Sequence, residues 1–169
     1  YVSSRSVARG VNGEELEKTF GHAVFVPEEL EGGYKLKKNS PRVSKNVESG
    51  EMQVMACFEK GESQLMLLVQ DGEELMREAK DKGDNGRVIG KDGRNLYYCE
   101  FPFEVYPFID DGDGGGTFDV TQKPEEIRTI HSLTWEHNGL YYRLWDLTTG
   151  DASAEILESS AKMIVEHQL

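Results

Sequence analysis

The dipeptide Asn138-Gly139 limits what this chain can fold into more than any other pair of its residues. It sits between two runs that alternate in polarity, Leu133-Thr134-Trp135-Glu136-His137 and Leu140-Tyr141-Tyr142-Arg143-Leu144-Trp145. A two-residue type I′ hairpin turn needs positive φ at both central positions, and Asn-Gly meets that need at little steric cost. Centring the turn there fixes the register: His137 faces Leu140, Trp135 faces Tyr142, and Leu133 faces Leu144. Successive side chains on a strand point to opposite faces. Leu133, Trp135, Tyr142 and Leu144 therefore share a core face, while Thr134, Glu136, Tyr141, Arg143 and Trp145 lie on the other.

The same grammar recurs along the chain. Residues 52–69 read as a hairpin turning around Lys60-Gly61-Glu62. Val54, Ala56 and Phe58 alternate with Met55 and Cys57, and Leu65, Leu67 and Val69 alternate with Met66 and Leu68. Both faces are apolar, which predicts a central pair covered at least partly on each side. A third hairpin is expected from Val88-Ile89-Gly90 through Asp92-Gly93 to Leu96-Tyr97-Tyr98-Cys99. Its second strand can run on to Val105, but Pro102 and Pro107 make that extension an edge. Residues 22–26 read as a short strand stopped by Pro27, and residues 34–37 as another, interrupted by Pro41. Residues 1–12 are polar and expected to fray, and residues 123–127 read as a connection of about one helical turn.

Three helices are expected. Asn12 precedes a short one with acids in its first turn, ending near Phe20. Leu75, Met76 and Ala79 mark one face of a second over residues 71–80. The strongest signal covers residues 152–167, with Asp151 or Ser153 as cap and an inward stripe of Ala154, Leu157, Ala161, Ile164 and Val165. Hairpins dominate and no βαβ alternation is visible, so the fold class is α+β: an antiparallel sheet of six to eight strands with the C-terminal helix packed on one face. Residues 1–21 read as an N-terminal extension with a short helix, and residues 22–169 as one domain.

Charge and apolar runs exclude several functions. With 19 basic and 31 acidic residues the net charge is −12. Nucleic acid and anionic membrane surfaces both require clustered Lys and Arg, so neither is expected as a partner. No apolar run is longer than that of Leu65-Met66-Leu67-Leu68-Val69, far short of the roughly 20 residues that span a bilayer. The chain opens at Tyr1, so the expectation is that a signal, a lipid-attachment site or a membrane anchor ahead of it has been removed. A membrane is then a partner only through such an anchor.

Candidate sites are few. Cys57 and Cys99 both fall in strand-like runs, either as two buried thiols or as one disulfide between neighbouring strands. Laid on a calcium loop, Asp111, Asp113, Thr117 and Asp119 fall at positions one, three, seven and nine. Position five is Gly115, and Gln122 stands where a bidentate Glu is needed. Asp111, Asp113 and Asp119 are thus the only metal candidates, in a segment that reads better as a solvated loop, and no cofactor is expected. His131 and His137 on one strand would be roughly 20 Å apart and could not share an ion. There is no HExxH or GxSxG motif, and the sequence points to no enzyme. The aromatics of residues 97–108 and of the last hairpin read mainly as cross-strand core pairs. Trp145, Tyr141, Met55, Met66 and Leu68, on the faces opposite the core residues of their hairpins, are the candidates for a ligand-binding surface.

Two stretches carry a resemblance. Residues 25–36, with Pro27, Leu30, Gly33, Tyr34 and Leu36, are similar to a "Pro–Leu–Gly-Tyr-x-Leu" opening. Residues 133–144, with Trp135, Gly139, Tyr142 and Leu144 followed by a helix bearing small residues, are similar to a "Trp–Gly–Tyr-x-Leu" close. Together they resemble the extracellular family called domain of unknown function 4367, over residues 22–167, with the middle of the chain as an insertion. The resemblance implies a curved antiparallel sheet with helix cover, akin to lipoprotein-carrier domains. It also implies a place outside the membrane of Gram-positive bacteria, behind a single membrane anchor and sometimes beside a signalling regulator. It brings no catalytic residues. The expected function is a non-enzymatic extracytoplasmic domain for sensing or protein–protein interaction, with a carrier of a lipid or small hydrophobic molecule as the alternative.

Overall fold

The computed structural model describes residues 4–82, 86–88, 95–110, 112 and 116–167. Twelve strands and three helices occur among them. The strands are β1 (Ser4–Arg9), β2 (Glu29–Leu30), β3 (Tyr34–Leu36), β4 (Arg42–Asn46), β5 (Met52–Lys60), β6 (Ser63–Gln70), β7 (Gly86–Val88), β8 (Asn95–Val105), β9 (Phe108–Asp110), β10 (Gly116–Phe118), β11 (Glu126–His137) and β12 (Leu140–Trp145). The helices are α1 (Gly13–Phe20), α2 (Glu74–Lys82) and α3 (Ala154–His167). Ten strands form one antiparallel sheet in the order β1-β4-β5-β6-β12-β11-β8-β7, with β2 paired to β3 and β3 to β5. Strands β9 and β10 make a separate two-stranded ribbon. The fold is α+β with α3 at the C-terminus packed on the sheet.

The last hairpin has the register its turn dictates. Trp135 pairs with Tyr142 and Leu133 with Leu144, and Asn138 and Gly139 carry φ of 51° and 78°. The rings of Trp135 and Tyr142 stack at 5.4 Å, both fully buried. The β5–β6 hairpin closes with Lys60 opposite Ser63 and lies mid-sheet.

The core lies on one face of the sheet, here called the inner face. Val54, Ala56, Phe58, Leu65, Leu67, Leu133, Trp135 and Leu144 meet Leu16 and Phe20 of α1 and Leu157, Ala161 and Ile164 of α3 there. Burying one such side chain stabilises by about 1.5–3 kcal/mol, so these contacts hold both helices. Ser153, not Asp151, caps α3: its hydroxyl accepts from the Ile156 N–H at 3.2 Å. On the outer face α2 packs against β8, β11 and β12, with Leu75, Met76 and Ala79 buried.

Several expectations are corrected. Residues 4–9 do not fray but form β1, which pairs with β4, and Leu16 and Phe20 of the expected extension are core residues. Residues 123–127 make no helical turn, because β11 begins at Glu126 and pairs with the far end of β8. Residues 22–26 form no strand. Phe108 is not a core aromatic: it is exposed and packs edge-on against Phe118 in the β9–β10 ribbon. The third hairpin's turn at Asp92-Gly93 lies outside the described residues.

Candidate functional site

Strand register places the five proposed ligand residues together. One row across the outer face reads Arg42, Met55, Leu68, Arg143, Thr134. The next reads Cys57, Met66, Trp145, Ser132, Cys99. Gln53, Gln70 and Tyr141 form a row toward one end. Helix α2 covers the part of this lattice nearest β11. Leu68 is buried, but Met55, Cys57, Met66 and Trp145 stay half-exposed. The result is a strip of two thioethers, a thiol and an indole that contains no carboxylate.

Its margins are polar. A guanidinium N–H of Arg42 points at the Met55 sulfur at 3.8 Å. The Gln70 amide donates to Gln53 Oε1 at 3.0 Å. The Tyr141 hydroxyl is pushed above its ordinary pKa by desolvation and by the nearby Glu136 and Glu73. The wall toward α2 is held by Arg143, whose Nε donates to Thr134 Oγ1 (3.2 Å), its Nη2 to the Leu75 carbonyl (3.1 Å) and its Nη1 to Glu78 Oε2 (3.2 Å). Its guanidinium also lies 5.3 Å from the centre of the Trp145 ring, within cation–π range. Burial pushes the Cys57 thiol up against the smaller opposite pull of Lys37 and Arg42, and Glu59, the next residue of β5 on this face, adds to the rise.

The cysteines cannot pair within the molecule. They end the same row with three strands between them, so four strand spacings separate them by roughly 19 Å. A disulfide needs Cα atoms within about 7 Å. Both are thiols.

Asp119 is occupied locally. Its carboxylate accepts from Thr121 Oγ1 at 2.5 Å, Gln122 Nε2 at 2.7 Å and the Thr121 N–H at 3.1 Å. These bonds lower its pKa, with the Thr121 hydroxyl first among the causes. Asp111 and Asp113 lie outside the described residues. Among the described residues no group of three His, Cys, Asp or Glu side chains could hold a metal ion.

Sequence reasoning missed a buried acid–base pair. The Asp146 carboxylate, fully buried, faces His131 Nδ1 at 2.6 Å and accepts from the backbone N–H groups of His131 (2.7 Å) and Ala152 (3.0 Å). The Asp146 carbonyl accepts from Thr149 N (3.2 Å) and Gly150 N (2.7 Å). One residue thereby ties the end of β12 to β11 and to the approach into α3. An Asp–His pair is also two-thirds of a hydrolytic triad, but among the described residues no hydroxyl or thiol hydrogen-bonds the His131 ring. The partners are 15 positions apart in the chain, a separation at which no local motif announces them.

The sequence reading also missed a cleft of about 660 Å³ on the opposite side, between α1, residues 23–28 and the tip of the β11–β12 hairpin. Ala23, Val24, Phe25 and Val26 give it an apolar stretch of lining, and Asn12, Glu17, Glu28, His137 and Asn138 give it a polar one. Among the described residues no helix is long and apolar enough to cross a membrane. No family model matches the chain, and no curated protein or solved structure matches it.

Proposed function

We propose that this chain is a non-enzymatic binding domain, the extracytoplasmic part of a membrane- or lipid-anchored bacterial protein, that docks a partner protein on the outer face of its sheet. The carrying observation is the half-exposed strip of Met55, Cys57, Met66 and Trp145. The inner-face side chains of β5, β6, β11 and β12 that form the core are buried, whereas the outer face is covered by α2 over β8, β11 and β12. Methionine adapts to irregular partner surfaces, and an open strip suits a protein surface better than an enclosed small molecule. None of the four strip residues is acidic in a chain with 31 acids; Arg42 lies beside Met55 at one edge, and Glu59 lies beyond Cys57 at the other. The fitting partner is therefore an apolar segment with an acidic group positioned for that guanidinium. The extracytoplasmic, Gram-positive setting rests on the resemblance of residues 25–36 and 133–144 alone.

A photo-crosslinking residue at position 66 in the full anchored protein tests this, with one at the exposed Val47 as control. A discrete protein adduct at 66, absent at 47 and abolished by Arg42→Glu, is the expected result. Equal adducts at both positions, or none, would overturn the proposal. So would turnover of a cell-envelope substrate that His131→Asn abolishes. The carrier reading is favoured by the same thioethers and Trp145. Native mass spectrometry separates the two: a bare mass is expected here, and extra mass lost on denaturation would indicate a carried ligand.

A further inference from the structure

Residues 23–27 run without a turn or bend from the end of α1 toward β2. Burial alternates as in a strand, with Ala23 exposed, Val24 buried, Phe25 half-exposed and Val26 buried. Among the described residues no backbone N–H or C=O of residues 23–26 takes part in a hydrogen bond. Backbone polar groups of a folded chain are normally paired with protein or water. Here an extended segment with strand-like patterning lines the 660 Å³ cleft and is paired with no strand among the described residues.

We propose that residues 23–26 are a docking edge for an extended basic segment of a partner protein, which adds to them as a strand. This site is separate from the strip on the outer face. Strand addition takes affinity from main-chain hydrogen bonds and specificity from pockets that read alternate side chains. The edge is four residues, roughly 13 Å, and it is bounded by Pro27, which has no N–H to offer. Glu17 from α1 and Glu28 just past Pro27 flank the cleft, both exposed. The stacking of Phe25 on His167 at 3.8 Å ties the segment to the end of α3, so docking leaves the core undisturbed. The two carboxylates favour Lys or Arg at alternate positions of the incoming strand. A second copy of this chain, itself at −12, is disfavoured by like charge.

The test uses two labelled probes on the whole chain, one alternating Lys and Val and one alternating Glu and Val. Fluorescence anisotropy reads binding, and amide hydrogen exchange reads its place. The basic probe should bind and slow exchange at residues 23–26, and the acidic probe should not bind. The Glu17→Gln/Glu28→Gln double variant, which alters only exposed side chains, should weaken the basic probe by about tenfold. Equal binding of the two probes, binding that leaves exchange at residues 23–26 unchanged, protection by self-association without a probe, or no binding at all would each overturn the proposal.

Discussion

At Gly150 the backbone has a φ of 65°, and a Cβ placed there would stand 2.5 Å from Arg128 Cγ and 2.9 Å from the Thr129 carbonyl oxygen. Arg128 cannot easily withdraw, because its guanidinium donates to the Leu147 carbonyl at 3.3 Å and to the Thr148 carbonyl. Gly61 has nearly the same φ, 60°, but nothing lies within 4 Å of its would-be Cβ. The pair separates backbone preference from steric clash. Gly61→Ala should cost about 1–2 kcal/mol, the ordinary left-handed penalty. Gly150→Ala should cost about 1–3 kcal/mol more, since the rigid β12–α3 connection must shift. Urea unfolding of both variants checks this, and equal losses would show that Arg128 yields freely. The sequence reads Gly61 correctly as a turn residue, because the hairpin around it is local. It says nothing of Gly150 or Asp146, whose constraints come from β11 some 15–22 residues upstream.

Elements were legible where a local rule and a long-range need agree. The last hairpin, β5–β6 and α3 all have turn, cap and stripe pointing the same way. Residues 22–26 show the converse: alternation and Val content read as a strand, but a strand also needs a neighbour to pair with, and none lies beside them. The strip on the outer face was legible as residues, through the alternation of Met55, Met66 and Trp145 against core positions. Its limits were not, because α2 decides which part is covered. Arg143 makes that decision through its bonds to Leu75 and Glu78. Replacing it by Met keeps the aliphatic stem and removes these donors. Arg143→Met should therefore loosen α2 from the sheet, and its amides should exchange about 10–100-fold faster as the local opening energy falls by roughly 1.4–2.8 kcal/mol. The β5–β6 amides should keep their protection. Unchanged exchange over residues 74–82 would mean that Leu75, Met76 and Ala79 hold the helix without Arg143.

Across the whole molecule the sheet acts as a ruler, and the cysteines mark its length. Strand order could not be read from the sequence, since hairpin signals fix neighbours in pairs but not how the pairs are joined. Here β6 meets β12, and that junction places β5 and β8 four spacings apart. Had β5 and β8 been neighbours, a Cys57–Cys99 bridge would have been in reach. The observed order predicts two separate thiols that differ in access. Cys57 is half-buried with its pKa raised by burial, so at pH 8 it should alkylate more slowly than a solvent-exposed thiol, and faster as pH climbs and thiolate forms. Cys99 is buried, with its thiol directed at the Ala79 carbonyl at 3.7 Å. It should react only when α2 opens, and so faster in Arg143→Met than in the parent chain. Intact mass after timed iodoacetamide treatment reads both events. Mild oxidation of the native monomer should yield no internal bridge, and a Cys57–Cys99 disulfide formed without unfolding would contradict the strand order from β5 to β8.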